Sequence, residues 1–206
     1  MKFIPRSETT RRHIVESTAE LFNKKGVSGT SVSDLEKATG MTRGSIYGNF
    51  ENKDAVALAV FDYNWDLKRR MLLDGVSRCE LYKDKLLAHV LLHHPSAKTP
   101  FTAGGCPLQN TTIEADDTND VLRSKAAAAL ISWTKDLTEI IENGIRAKEF
   151  QADTDALDTA LHIISVIEGA TLFARSTKDM KYVNRLLDTA AKLIDKISVR
   201  HQPGNR

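Results

Sequence analysis

The stretch from Thr30 to Lys53, TSVSDLEKATGMTRGSIYGNFENK, constrains this chain most. Ser31 and Asp34 have the S-x-x-D spacing of a helix start. The hydroxyl can accept a free backbone N–H, and the carboxylate meets the positive end of the helix. Val32, Leu35 and Ala38 then fall on one helical face. Gly40 is placed to close that helix in a left-handed cap. Thr42 can cap a second, short helix ending near Phe50, and Asn52 can cap a third. Two helices of about two turns around a tight glycine turn make the helix-turn-helix pattern. In that pattern the second helix enters the DNA major groove, N-terminal end first. Here that end carries Thr42, Arg43, Gly44 and Ser45.

The rest of the chain repeats the helical period. A helix is expected over about 7–25, with Ile14, Val15, Ala19, Leu21 and Phe22 on its apolar face and Gly26 as its stop. Packed against the helix-turn-helix, it gives a three-helix head of about fifty residues, marginal alone. The next helix runs from Asn52 to about Leu73 and belongs to both head and body. Another covers Leu81 to about His94. Pro95 to Gly105 is irregular, with two prolines and two glycines. Pro107 fits the first turn of a short helix with Cys106 at its N-cap. A long rod follows over about 119–148, then a helix capped by Asp153 or Thr154, then a final helix that carries Val183, Leu187, Leu193 and Ile197. Period-two alternation is nowhere sustained, and the chain has no G-x-G-x-x-G and no P-loop. The expected fold is all-α: residues 1–52 a DNA-binding head, 53–200 a larger helical effector-binding and dimerisation body, 201–206 a frayed tail.

Charge agrees with that division. The whole chain has 29 Lys and Arg against 27 Asp and Glu, and nine against six of these lie in the segment ending at Lys53. The basic excess therefore sits with the proposed DNA reader. Two cysteines do not make a disulfide scaffold. The start is polar rather than a signal peptide, and no apolar run approaches the ~18 residues of a membrane span. A reducing cytoplasm is the expected compartment, with no membrane partner.

The Thr30–Lys53 stretch resembles the DNA-binding motif of the TetR family of bacterial transcription regulators. Ser31, Val32, Asp34, Leu35, Thr39, Gly40, Met41, Thr42, Gly44, Ser45, Ile46, Tyr47, Phe50, Asn52, Lys53 and Asp54 carry the resemblance. The sequence departs at Glu36, where Ala is usual, and at Gly48, where a bulkier residue is common. The resemblance implies a homodimeric repressor that binds a palindromic operator in double-stranded DNA and is released by a small-molecule or thiol-reactive effector. The rival classes are an architectural DNA binder without effector and an enzyme merely targeted to DNA. No catalytic constellation supports the second, and no cofactor is expected.

The candidate DNA contacts are Ser31, Thr42, Arg43, Ser45, Tyr47, Asn49 and Lys53. Arg43 is the expected base reader, since a guanidinium pairs with guanine O6 and N7. The resemblance implies phosphate contacts at Thr42, Tyr47 and Lys53. It also implies an effector pocket in the body, for which Phe61, Trp65, Phe101, Cys106 and Trp133 are candidates; each aromatic serves equally as core. Cys106 follows two glycines and opens a helix. A thiol there is favoured as thiolate, and related regulators sense electrophiles through such a residue; an inert capping role is the alternative. The resemblance places the dimer interface on the last two helices, with Leu161, Ile164, Gly169, Leu172, Leu187, Ala190, Leu193 and Ile194 as candidates. Packing within one chain would use the same stripes. His89 and His93 stand at i, i+4, but no third ligand follows at an obvious spacing, so no metal is expected.

Overall fold

The computed structural model describes residues 6–97, 99 and 104–199. Among the described residues nine helices follow one another: α1 Arg6–Lys25, α2 Val32–Thr39, α3 Arg43–Tyr47, α4 Lys53–Ser77, α5 Tyr82–Leu92, α6 Pro107–Ala115, α7 Asp120–Arg146, α8 Ala156–Thr177 and α9 Met180–Ile197. A short 3-10 turn, Pro95–Ala97, follows α5. Among the described residues the one trace of β structure is an isolated bridge between Phe150 and Ser198. The expected all-α fold is therefore observed. Phe101 and the tail 201–206 lie outside the described residues.

The chain divides into two compact units. The first holds α1, α2, α3, α4 through Arg69, α6, and α7 through Ala129. Its core joins Ile14, Val15, Ala19 and Phe22 of α1 to Leu35, Ile46 and Phe50 and to Val56, Ala57 and Val60 of α4. Those of α1 are residues that the helical period put on one face, and burial of the whole set supplies the main favourable term for a small head. The second unit holds the rest of α4, α5, α7 from Leu130, α8 and α9. There Ile163 and Ile167 of α8 and Leu187, Ala190 and Ile194 of α9 are buried, where the two helices pack. Phe150 lies where a Cβ on Gly144 would stand, so only glycine fits beside that ring.

Several boundaries differ from those expected. α3 stops at Tyr47 rather than near Phe50, because Gly48 takes over as its C-cap. α4 continues to Ser77, and α8 is capped by Asp155, whose Oδ1 accepts the Asp158 N–H at 2.9 Å. The expectation that no stretch approaches a membrane span is corrected: α8 is long and apolar enough by length and composition, with mean hydropathy 1.4 over its best window. Only 28% of that window is buried within the chain. Its outer face shows Leu157, Leu161, Leu172 and Phe173, with Asp158 and His162 paired at 3.2 Å among them.

Candidate nucleic-acid interface

The two helices of the motif are capped as their sequence demands. Ser31 Oγ accepts the Asp34 N–H at 3.1 Å, and Asp34 Oδ2 accepts the Ser31 N–H at 3.0 Å, which completes a capping box. The Ser31 N–H first, and then the Lys25 ammonium, hold the Asp34 carboxyl well below the usual carboxylate range. Gly40 ends α2 at φ +66°, a conformation natural to glycine. Thr42 Oγ1 accepts the Ser45 N–H at 3.3 Å and starts α3. Leu35, Ile46 and Phe50 fix both helices on the core. Thr42, Arg43 and Ser45 are consequently turned outward and exposed, and Tyr47 and Asn49 are half-buried. The Arg43 guanidinium lies 5.9 Å from the centre of the Tyr47 ring. Asn49 Nδ2 donates to the Ser45 carbonyl at 2.9 Å.

Residues outside the motif hold it in place. Arg11 stacks its guanidinium 4.0 Å over the Phe50 ring and donates to the Asn49 carbonyl, just past α3. His13 Nε2 donates to the Thr39 carbonyl at 2.9 Å, at the end of α2. Glu36 accepts the Arg43 N–H at 2.8 Å, so α2 touches the first residue of α3 through a carboxylate. The Lys53 ammonium donates to the carbonyls of Val27 and Thr30, at 2.7 and 2.9 Å, and braces the turn between α1 and α2. None of these contacts follows from helical periodicity. Arg11, His13 and Lys53 reach residues 23 to 38 positions away, and in each case a loop or helix-end carbonyl is the acceptor.

The same turn is gripped from α6. Glu114 accepts the N–H groups of Val27 and Ser28 at 3.0 and 2.9 Å. The Glu114 carboxylate fills the space a Cβ on Gly26 would need, and Gly26 sits at φ +71°. Asn110 Nδ2 donates to the Asn23 and Gly104 carbonyls at 3.0 and 2.9 Å. At the head of α6, Cys106 is the N-cap residue, but its side chain makes no capping bond. Instead Lys68 of α4 donates to Cys106 Sγ at 2.8 Å. A small cavity of about 150 Å³ opens in this unit, bordered by Phe22, Val27, Phe61, Asn64 and Pro107.

The effector-pocket candidates fall into different surroundings. Phe61, Trp65 and Cys106 are buried in the first unit, whereas Trp133 is buried in the second. Trp133 Nε1 donates to His89 Nδ1 at 3.3 Å, and the His93 ring stacks on it at 5.4 Å. Both histidines are thus engaged with tryptophan, and no group of three metal-ligating side chains occurs among the described residues. The dimer candidates also divide. Ile164, Leu187, Ala190 and Ile194 are buried by their own chain, Gly169 and Leu193 are half-buried, and Leu161 and Leu172 are exposed. Leu161 borders an open groove of about 560 Å³ between α7 and α8, with Leu130, Ile131 and Leu157.

Comparison with known proteins supports the same assignment. Residues 14–60 match the family described as bacterial regulatory proteins, tetR family, and residues 83–190 match the tetracyclin repressor-like C-terminal domain. A TetR family transcriptional regulator from Cytophaga hutchinsonii is 48% identical in sequence, with a TM-score of 0.93 over 97% of this chain and all of that one. An HTH-type transcriptional regulator in the lacX 3' region of Lactococcus lactis subsp. lactis is 28% identical, over 91% of this chain and 94% of that one. The HTH-type transcriptional repressor NemR of Escherichia coli strain K12 is 23% identical over 90% of this chain and 94% of that one. Its reduced-form crystal structure superposes with a TM-score of 0.80, over 93% and 97% of the two chains.

Proposed function

The chain belongs to the TetR family of bacterial regulators, and from that membership we propose that α3 reads a palindromic operator from a homodimer whose grip is released by an effector. It is a DNA-binding transcriptional regulator of the repressor type and not an enzyme. The observation that carries the reading of α3 is its outer face. Thr42, Arg43 and Ser45 are exposed on a capped helix whose inner face, through Ile46, is fully buried. Arg43 is the base reader, and Thr42, Ser45, Tyr47 and Asn49 serve the backbone and flanking bases. Ser31 and Lys53 act chiefly by holding the motif, since their polar groups are already engaged inside the head. Residues 1–52 are the reading part and 53–200 the sensing and dimerising part, working in the cytoplasm.

The exposed apolar face of α8 supports the dimer, because two heads on one palindrome need a fixed spacing. For the signal, the Lys68–Cys106 pair supports a thiol-reactive effector. An ammonium donating to the sulfur and the positive end of α6 both favour the thiolate, which is the reactive form. Adding a group to Cys106 would break that contact at one end of α6, while Glu114 on the same helix holds the turn before α2. A useful switch needs several kcal/mol of differential affinity between the two states.

The test starts from the whole protein and a pool of duplexes with a randomised centre. Repeated selection should enrich an inverted repeat, and gel-shift titration should show one dimer per site. Treatment with a small electrophile should then lower affinity for the enriched duplex in the parent, and not in Cys106→Ser. Enrichment of no sequence would refute the DNA-reading assignment. Equal loss of affinity in both proteins would move the signal away from Cys106.

A further inference from the structure

Glu36 is where α2 departs from the motif it otherwise follows. Its carboxylate is half-buried and accepts the backbone N–H of Arg43 at 2.8 Å. Arg43 is the first residue of α3. The start of α3 is therefore held twice, by the Thr42 hydroxyl on the Ser45 N–H and by the Glu36 carboxylate on the Arg43 N–H. Glu36 is itself well anchored. Its neighbour Leu35 is fully buried, and its own carbonyl accepts the Gly40 N–H at 2.9 Å, in the left-handed cap that ends α2. An alanine at this position would supply neither the acceptor nor the charge.

We infer that Glu36 is a positioning residue that sets the DNA selectivity of α3, acting through Arg43. This rests on α3 being the DNA-reading helix. Two effects combine. The hydrogen bond fixes the backbone of the residue whose guanidinium reaches for a base, so the side chain starts from one direction. The negative charge sits at the end of α3 that meets the duplex, where it opposes phosphate attraction. That attraction is the sequence-independent part of binding. It acts on operator and random duplexes alike, so the charge sets absolute affinity and its salt dependence, while the ratio of operator to random affinity rests on the bond that aims Arg43.

Two variants separate the effects. Glu36→Gln keeps an oxygen acceptor for the Arg43 N–H and removes the charge. Glu36→Ala removes both. The operator is first selected with the parent from randomised duplexes. Fluorescence anisotropy then measures the full-length proteins on the selected duplex, on a scrambled duplex of equal length and on a set with single base-pair changes, over a range of salt. Arg43→Ala in the same set identifies the base pair that Arg43 reads.

Glu36→Gln should bind the scrambled duplex about three- to tenfold tighter at low salt, an advantage that shrinks as salt screens the charge. Its base preference should match the parent's. Glu36→Ala should lose preference at the base pair assigned to Arg43. Scrambled-duplex affinity of Glu36→Gln within about twofold of the parent at low salt overturns the inference. So does an unchanged preference at every base pair in Glu36→Ala. A parent that enriches no sequence fails at the earlier step and removes the DNA-reading assignment itself. Circular dichroism of each variant guards against loss of fold, and the Gln variant, of nearly the same shape, keeps the charge effect measurable.

Discussion

Lys68 Nζ lies 2.8 Å from Cys106 Sγ, and both side chains are buried, at 5% and 2% exposure. A lysine is rarely this buried without a partner. The pair spans from the middle of α4 to the cap of α6, so it joins the helix that leads out of the head to the helix that grips the α1–α2 turn. Chemistry at the sulfur is thereby a change in packing between those helices.

That pairing gives an order of reactivity. Iodoacetamide, small enough to enter on local opening, should alkylate Cys106 about tenfold more slowly in Lys68→Met than in the parent, because the thiolate loses its ammonium. A bulky polymer-linked maleimide should instead find Cys79, which is half-exposed. Peptide mass spectrometry over time distinguishes the two sites. Equal alkylation rates at Cys106 in parent and variant would show that the lysine does not activate it.

Lys53 should matter to folding as well as to DNA. Its ammonium donates to two carbonyls of the turn between α1 and α2. Charge-assisted bonds of this kind contribute about 1–3 kcal/mol each when a partner is removed. Lys53→Met should therefore lower the thermal midpoint of the free protein, and Glu114→Ala, which frees two N–H groups of the same turn, should do likewise. A residue that touched phosphate alone would leave the melt of the free protein unchanged.

Asp34 makes the head sensitive to acid. Its carboxyl titrates well below the usual carboxylate range in the folded protein, owing first to the Ser31 N–H and then to Lys25. In the unfolded chain it titrates near 3.9. A depressed folded value means that the stabilisation is present above the unfolded value and disappears as pH falls below it towards the folded value. Asp34→Asn should thus melt below the parent at about pH 7, with the gap narrowing towards about pH 2. A gap that stays constant across that range would mean the carboxylate charge is not what stabilises α2.

Much of this was legible in the residues, and the rest was not for physical reasons. Caps announce themselves: Ser31 with Asp34, Gly40 and Thr42 each occupy the position their spacing demanded. Apolar period put Leu35 on the inner face of α2, where it is fully buried. Helix ends without glycine were harder. Lys178 adopts φ +55° as the C-cap of α8, and Lys148 adopts φ +61° just beyond α7, a conformation no sequence rule assigns to lysine. Lys53 shows the other limit. Its type and place suit a phosphate, yet the fold supplies carbonyl partners from a turn 23 and 26 residues earlier. Lys68 carries no such signal in the sequence. A lysine within an apolar helix reads as a solvated side chain until Cys106, 38 residues on, is brought against it.

Burial also separates the dimer candidates into two classes with different expected outcomes. Leu161 is 48% exposed on α8, whereas Ile194 of α9 is fully buried within its own chain. A glutamate at Ile194 must bury a charge or open the α8–α9 packing, a cost of several kcal/mol that a small domain does not withstand. Ile194→Glu should unfold the protein, and its circular dichroism should lose helix. A glutamate at Leu161 meets water in the single chain and costs little there. In a dimer built on the outer face of α8 it would meet its own copy across the two-fold axis or an apolar neighbour, and either contact is unfavourable. Leu161→Glu should therefore keep its helix content and melt close to the parent, yet run as a monomer in light scattering at micromolar concentration. It should also lose affinity for a palindromic duplex while retaining affinity for a half-site. A parent that is itself monomeric, free and on DNA, would remove the dimer. A Leu161→Glu protein that stays dimeric would instead move the interface off this face of α8.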